Sequence, residues 1–161
     1  MKRESWWIYE GIVNAAAVAL FSAMVVVTTL GVFYRYVLNN ALPWAEEADR
    51  YLFIWLSFVG ASITMRRKGH IAVDLLLRYV SPAWQRRVAL LAQGCVLVFL
   101  GIVFWASLPV IELTSETRAT ATDIPMSWVY IAAPTGCVLI SIETLRLMAH
   151  TRAEMRRGGP A

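Results

Sequence analysis

Charge is missing from long stretches of this chain: no Asp, Glu, Lys or Arg occurs in 11–34, 51–65, 88–111 or 124–142. Across 161 residues, 58% are hydrophobic and only 16% charged, too apolar for an ordinary soluble domain of this size, so the expected solvent is a bilayer. Histidine is nearly absent, and His70 and His150 both fall outside the charge-free runs, which removes the interhelical haem ligation a redox anchor would use. The two cysteines, Cys95 and Cys137, lie inside apolar runs and suit neither a disulfide framework nor a metal cluster; both are expected to be small buried side chains. No nucleophile, base and orienting group form a set, and serines and threonines in the runs are expected to bond their own helix backbone. Enzyme activity, a cofactor and a metal site are therefore not expected. Ionisable groups at mid-span, internal repeats and paired broken segments are lacking too, so the chain has no evident ion or carboxylate site of its own.

The apolar runs themselves set the fold class. A helix needs roughly 20 residues to cross hydrocarbon, and three of the runs reach that length. The fourth, 51–65, is shorter, but a helix starting at Pro43 can keep its charged first turn in the headgroup region. The pattern predicts an all-α integral membrane protein with transmembrane helices at about 12–34, 44–66, 88–110 and 126–148, so that 1–161 forms a single four-helix membrane domain. Pro134 and Gly136 are expected to kink the last of these. Lys2 and Arg3 ahead of an alanine-rich run imitate a signal peptide, but the run exceeds an h-region of roughly 7–15 residues, and an uncleaved anchor is expected.

Orientation follows from the basic residues. Lys2, Arg3, Arg66, Arg67, Lys68, Arg78, Arg86, Arg87, Arg146, Arg152, Arg156 and Arg157 fall on one side of the predicted spans, and only Arg35, Arg50 and Arg118 on the other. The positive-inside rule then places both termini and the 66–87 loop in the cytoplasm. This asymmetry accounts for the net charge of +4, so nucleic acid is not an expected partner. Trp6, Trp7, Tyr9, Tyr79 and Trp84 fit the inner aromatic belt, and Tyr34, Tyr36, Trp44, Tyr51, Trp105, Trp128 and Tyr130 the outer one.

Three groups of residues stand out. Pro43 to Arg50 concentrates Glu46, Glu47, Asp49 and Arg50 at the outer end of the second span, where acids favour a helix N-terminus and Glu46 or Glu47 can pair with Arg50. Glu46 and Arg50 share a face that continues through Ser57 to Ala61, and with Trp44, Glu47 and Gly60 these form a candidate partner interface at the periplasmic edge. Glu47 is placed to reach a different surface. After Gly69, which suits a helix stop, His70, Asp74 and Arg78 recur every four residues among aliphatic neighbours. An amphipathic interfacial helix over about 70–80, in the cytoplasmic loop between the second and third spans, is predicted. Small residues Ala15, Ala19 and Ala23 on the first span, and Ser57, Gly60, Ala61 and Thr64 on the second, suit close helix packing.

Taken together, Leu42-Pro43-Trp44-Ala45-Glu46-Glu47 through Arg50, Gly60-Ala61 to Arg67-Lys68-Gly69-His70-Ile71-Ala72-Val73-Asp74, and Asp123-Ile124-Pro125-Met126-Ser127-Trp128-Val129-Tyr130 leading to Pro134-Thr135-Gly136 resemble the small, DctQ-like membrane subunit of tripartite ATP-independent periplasmic (TRAP) transporters. The stretches occur in the family's order and spacing over nearly the whole chain. The resemblance implies a multi-pass protein of the bacterial inner membrane that transports nothing alone. It implies a stable heterodimer with a large, elevator-type membrane subunit holding the substrate and sodium sites. It also implies transient contact with a periplasmic binding protein that delivers a carboxylate such as a C4-dicarboxylate, keto acid or sialic acid. Two other readings fit the residues: the small subunit of a tripartite tricarboxylate transporter, and the membrane anchor of an unrelated enzyme.

The orientation is directly testable. Reporter fusions after Arg157 and within 66–87 are expected to score cytoplasmic, and fusions near Asn39 or Thr120 periplasmic; one reversed loop refutes the four-span arrangement.

Overall fold

The computed structural model describes residues 2–66 and 82–156. The helices are α1 (Lys2–Tyr36), α2 (Pro43–Arg66), α3 (Pro82–Leu113), the single turn α4 (Ser127–Tyr130) and α5 (Ala132–Arg156). No strand forms among the described residues; an isolated bridge between Arg118 and Pro125 closes the loop ahead of α4. The predicted interfacial helix over 70–80, with His70, Asp74 and Arg78, lies outside the described residues.

Local chemistry sets the breaks. After α1 the Asn40 N–H returns to the Tyr34 carbonyl at 3.0 Å, and Asn39 turns the chain with a left-handed φ of 49°, which asparagine tolerates better than most residues. Pro43 then opens α2, where its fixed φ suits the first helical position and its missing N–H leaves no donor orphaned. The predicted continuous helix over 126–148 is instead divided at Ile131. Pro134 cannot donate to the Tyr130 carbonyl and its ring crowds that oxygen, so the ladder is interrupted where a kink was expected. Ile131 keeps helical dihedrals, and Ile131 N–H to Ser127 O and Thr135 N–H to Ile131 O carry the hydrogen bonding across the break.

Among the described residues three segments are long and apolar enough to cross a membrane: Trp6–Tyr36, Arg87–Leu113 and Ser127–Ala153. The protein is thus a helical, multi-pass membrane protein. α2 is 24 residues long, yet its charge-free run covers only 51–65.

The helices stand side by side in the order α1, α2, α5, α3, with α4 touching α2, α3 and α5. This is a row, and its edge and middle members differ accordingly. From Val13 onward the covered positions of α1 are Val13, Ala17, Leu20, Met24, Val27, Gly31 and Tyr34, alternating steps of four and three, the narrow seam along which α1 meets α2. Ala15, Ala19 and Ala23 are exposed, so the small-residue packing expected of them is not where α1 meets α2. Cys137 is buried, but Cys95 is exposed, because it points away from the single covered stripe of edge helix α3. The fully enclosed side chains are small, Ser62 and Thr144 among them, as expected where helices touch along lines and do not surround a core.

Glycine permits the closest approaches. A Cβ on Gly31 would touch the Ala45 side chain at 3.4 Å, and one on Gly136 would lie 2.3 to 2.6 Å from three atoms of the Phe58 side chain, inside any real contact distance. Gly136→Ala is therefore expected to cost about 1–3 kcal/mol through overpacking of the α2–α5 seam. Gly94→Ala and Gly101→Ala, where nothing lies within 4 Å, are expected to be silent. Thermal unfolding of the detergent-solubilised protein checks this, and equal stability of all three would mean the seam is not closed.

Candidate functional site

The chemistry of this chain gathers at the two ends of α2. At the end where α1 begins and α5 finishes, Arg66 closes α2 and lies between two acids. Its Nη1 is 3.7 Å from Glu10 Oε2 and its Nε 3.6 Å from Glu143 Oε1, while its Nη2 donates to Asn14 Oδ1 at 3.2 Å. Arg146 Nη1 donates to Glu10 Oε1 at 2.6 Å and lies 3.9 Å from Glu143 Oε2. The Arg146 guanidinium also stacks over Trp6, 4.7 Å from the ring centre, and Trp6 meets Tyr9 edge to face. Two acids face two bases here, and Glu143, only 2% exposed, has both arginines close by, at 3.6 and 3.9 Å. The group joins three helices: α1 through Glu10 and Asn14, α2 through Arg66, and α5 through Glu143 and Arg146.

At the opposite end each acid of the Pro43–Arg50 cluster finds its own partner. Glu46 pairs with Arg35 of α1, and Asp49 accepts from Thr28 Oγ1 at 2.9 Å. Glu47 accepts at Oε2 from Ala121 N–H (3.0 Å), Thr122 N–H (2.8 Å) and Thr122 Oγ1 (3.0 Å), and at Oε1 from the Tyr51 hydroxyl (2.9 Å). Three donors from the loop before α4 tie it to Glu47 of α2, and the fourth, Tyr51, comes from α2 itself. The pairing of Glu46 or Glu47 with Arg50 suggested by helical spacing does not form, because Arg35 and the loop take both carboxylates. Arg50 is left exposed, with no ion pair among the described residues.

The residues singled out from the sequence separate into two sets. Glu46, Arg50, Ser57 and Ala61 are exposed along one stripe of α2 that also holds Phe53 and Thr64. Trp44 is exposed beside it, and Gly60 is partly covered, although a Cβ added there would meet nothing within 4 Å. Glu47 alone turns inward to the loop. Ser57 and Thr64 donate to the carbonyls of Phe53 and Gly60, as hydroxyls in apolar surroundings do. Sequence reasoning passed over Glu10. The available signal was that Glu10, Arg66 and Glu143 each directly adjoin a charge-free run at the same end and carry complementary signs. Nothing local marks Thr122 as a ligand of Glu47, 75 positions away. Among the described residues no group of three or more His, Cys, Asp or Glu could hold a metal ion.

A family described as tripartite ATP-independent periplasmic transporters, DctQ component, matches residues 24–153. Among similar proteins, the C4-dicarboxylate TRAP transporter small permease protein DctQ of Vibrio cholerae is 30% identical, the match covering 78% of this chain and 64% of that protein. The sialic acid TRAP transporter small permease protein SiaQ of the same species is 24% identical, over 86% of this chain and 80% of that protein. The isethionate TRAP transporter permease protein DctMQ of Oleidesulfovibrio alaskensis is 25% identical over 89% of this chain, which spans only 24% of that longer protein.

The charge group at Arg66 sets a stability prediction. Arg66→Met leaves Glu143 buried beside one remaining arginine and is expected to cost roughly 3–5 kcal/mol, whereas the double variant Arg66→Met, Glu143→Met should recover most of that loss. Thermal melts of single and double variants measure the difference. Equal losses for the double and the single variant would show that the pair is not coupled.

Proposed function

Because the chain belongs to the DctQ component family of TRAP transporters, whose members are membrane subunits of transporters and not enzymes, we propose that it is the accessory scaffold of a sodium-coupled importer. The observation that carries this reading is that Glu46, Glu47, Asp49 and Arg66 of α2 all have partners inside the chain, so none of these four is held ready for a solute. The solute and ion sites then belong to a larger permease subunit. The Oleidesulfovibrio relative supports such a partner, since its matching stretch is part of a permease protein about four times as long as the match. The solute is an organic acid anion delivered by a periplasmic binding protein; the relatives' names range over C4-dicarboxylate, sialic acid and isethionate.

In this reading α2 is the fourth span, in a bacterial inner membrane with both termini cytoplasmic. Its 15-residue charge-free run measures about 22 Å against a hydrocarbon core of about 30 Å, so its charged ends reach apolar depth and need the partners described above. Arg50 is the exception. It occupies the exposed stripe with Phe53, Ser57, Ala61 and Thr64, which offers small side chains where α1 and α3 present Phe21, Val25, Leu91, Val98 and Phe99. Lipid accepts the second kind of surface; the first suits a close-packed helix of the large permease carrying a carboxylate toward Arg50.

The chain alone in proteoliposomes is expected to move no solute, and addition of the large permease and binding protein should give uptake driven by a sodium gradient. Ala61→Trp and Arg50→Gln are expected to reduce co-purification of the large permease by about tenfold or more, the equivalent of about 1.4 kcal/mol, while Val98→Trp on α3 leaves it unchanged. Uptake by the chain alone would refute the scaffold role; full co-purification of both α2 variants would refute the α2 docking face.

A further inference from the structure

A cavity of about 240 Å³ opens at the end of the row where α1 begins, lined by Trp6, Trp7, Glu10 and Arg146. Its level is that of the membrane boundary, because the charge-free runs 11–34 and 124–142 both end there. We propose that this cavity binds the headgroup of an aminophospholipid, with Arg146 holding the phosphodiester and Glu10 the primary ammonium. The site rests on the reading that these helices span a bilayer, and in the proposed orientation it takes lipid from the cytoplasmic leaflet.

The Arg146 side chain is the first reason. Both carboxylates in its reach approach the same nitrogen, Nη1, leaving Nε and Nη2 without a hydrogen bond to any described residue. Its Cζ lies over the Trp6 ring, 4.7 Å from the centre, and its side chain is 32% exposed, so the guanidinium is held in place and reachable. A planar fork with two free donors matches a phosphodiester, and Trp6 and Trp7 line the same cavity. The acid is the second reason. Glu10 gives Oε1 to Arg146, but its Oε2 lies 3.7 Å from Arg66, beyond hydrogen-bond length, and keeps lone pairs for an ammonium beside two aromatic rings. Net charge decides between lipid classes. The charged residues that line the cavity are one acid, Glu10, and one base, Arg146, a pairing that suits a zwitterion better than an anionic lipid. Ile8 and Ile12, 65% and 63% exposed on the same helix, offer an aliphatic surface for the acyl chains.

The test is native mass spectrometry of the full-length chain in complex with its large permease, delipidated and titrated with phosphatidylethanolamine, phosphatidylglycerol or inorganic phosphate. Phosphatidylethanolamine is expected to bind about tenfold more tightly than either alternative, and Trp7→Ala and Arg146→Lys each to weaken it by about tenfold through loss of the ring and of the planar fork. Trp7 takes part in no ion pair and is 70% exposed, so its removal leaves the helix junction intact even if Arg146→Lys does not assemble. Unchanged affinity in Trp7→Ala, equal binding of phosphatidylglycerol, or equal binding of inorganic phosphate each overturns the assignment. Lipid retention requires no transport: an inactive complex that keeps the lipid counts against the transporter reading alone, and an active one that binds none counts against this site alone.

Discussion

The shortness of the apolar run in α2 is the constraint on which the remaining structure depends. In the proposed four-span arrangement, fifteen residues without charge do not reach across a hydrocarbon core, so α2 would bring ionic side chains to depths where an isolated charge is costly. The chain resolves this by surrounding α2 with neighbours of the required sign. Glu10 and Glu143 meet Arg66 at one end; Arg35 meets Glu46, Thr28 meets Asp49, and the loop before α4 meets Glu47 at the other. Each of those contacts also fixes the height of an adjoining helix, so the ion pairs set the vertical register of the row while the seams set its lateral spacing.

A row of helices has consequences that a closed bundle does not. Every member keeps a face turned outward, and the composition of that face records what it meets. On α1 the outward residues include Phe21 and Val25 beside the small Ala15, Ala19 and Ala23, and on α3 they include Leu91, Val98 and Phe99. On α2 the outward stripe is small and polar along most of its length and ends at Arg50, an arginine without an ion pair among the described residues.

The positions of the apolar segments were legible because absence of charge is a one-dimensional signal, and the family resemblance rested on turns and helix ends that hold particular residue types. The seam of α1 was not legible. Val13, Ala17, Leu20, Met24, Val27, Gly31 and Tyr34 alternate with side chains just as apolar, so a helix that is hydrophobic all round conceals which stripe faces protein. Pro134 announced a disturbance, but whether the ladder bends or breaks depends on the hydrogen bonds around Ile131. The partners of Glu46 and Glu47 were hidden for another reason: helical spacing favours Arg50, and only the folded chain brings Arg35 and Thr122 closer. The family match settles in favour of TRAP transporters what the residues alone left open between a tricarboxylate transporter subunit and an enzyme anchor.

The order α1, α2, α5, α3 also bears on how the chain is assembled. α1 with α2, and α3 with α5, are neighbours both along the sequence and in space, so each pair is a hairpin able to form as soon as its second helix emerges during synthesis. The contact of Phe58 with Gly136 is different in kind, since it joins the two hairpins across 78 positions of sequence. For a polypeptide delivered to a membrane helix by helix, that seam closes last. Until it does, Arg66 has Glu10 but lacks Glu143, and the first hairpin waits with a half-neutralised arginine at its edge. The same residue that joins the two hairpins in the finished row is therefore among the last to gain its full set of partners.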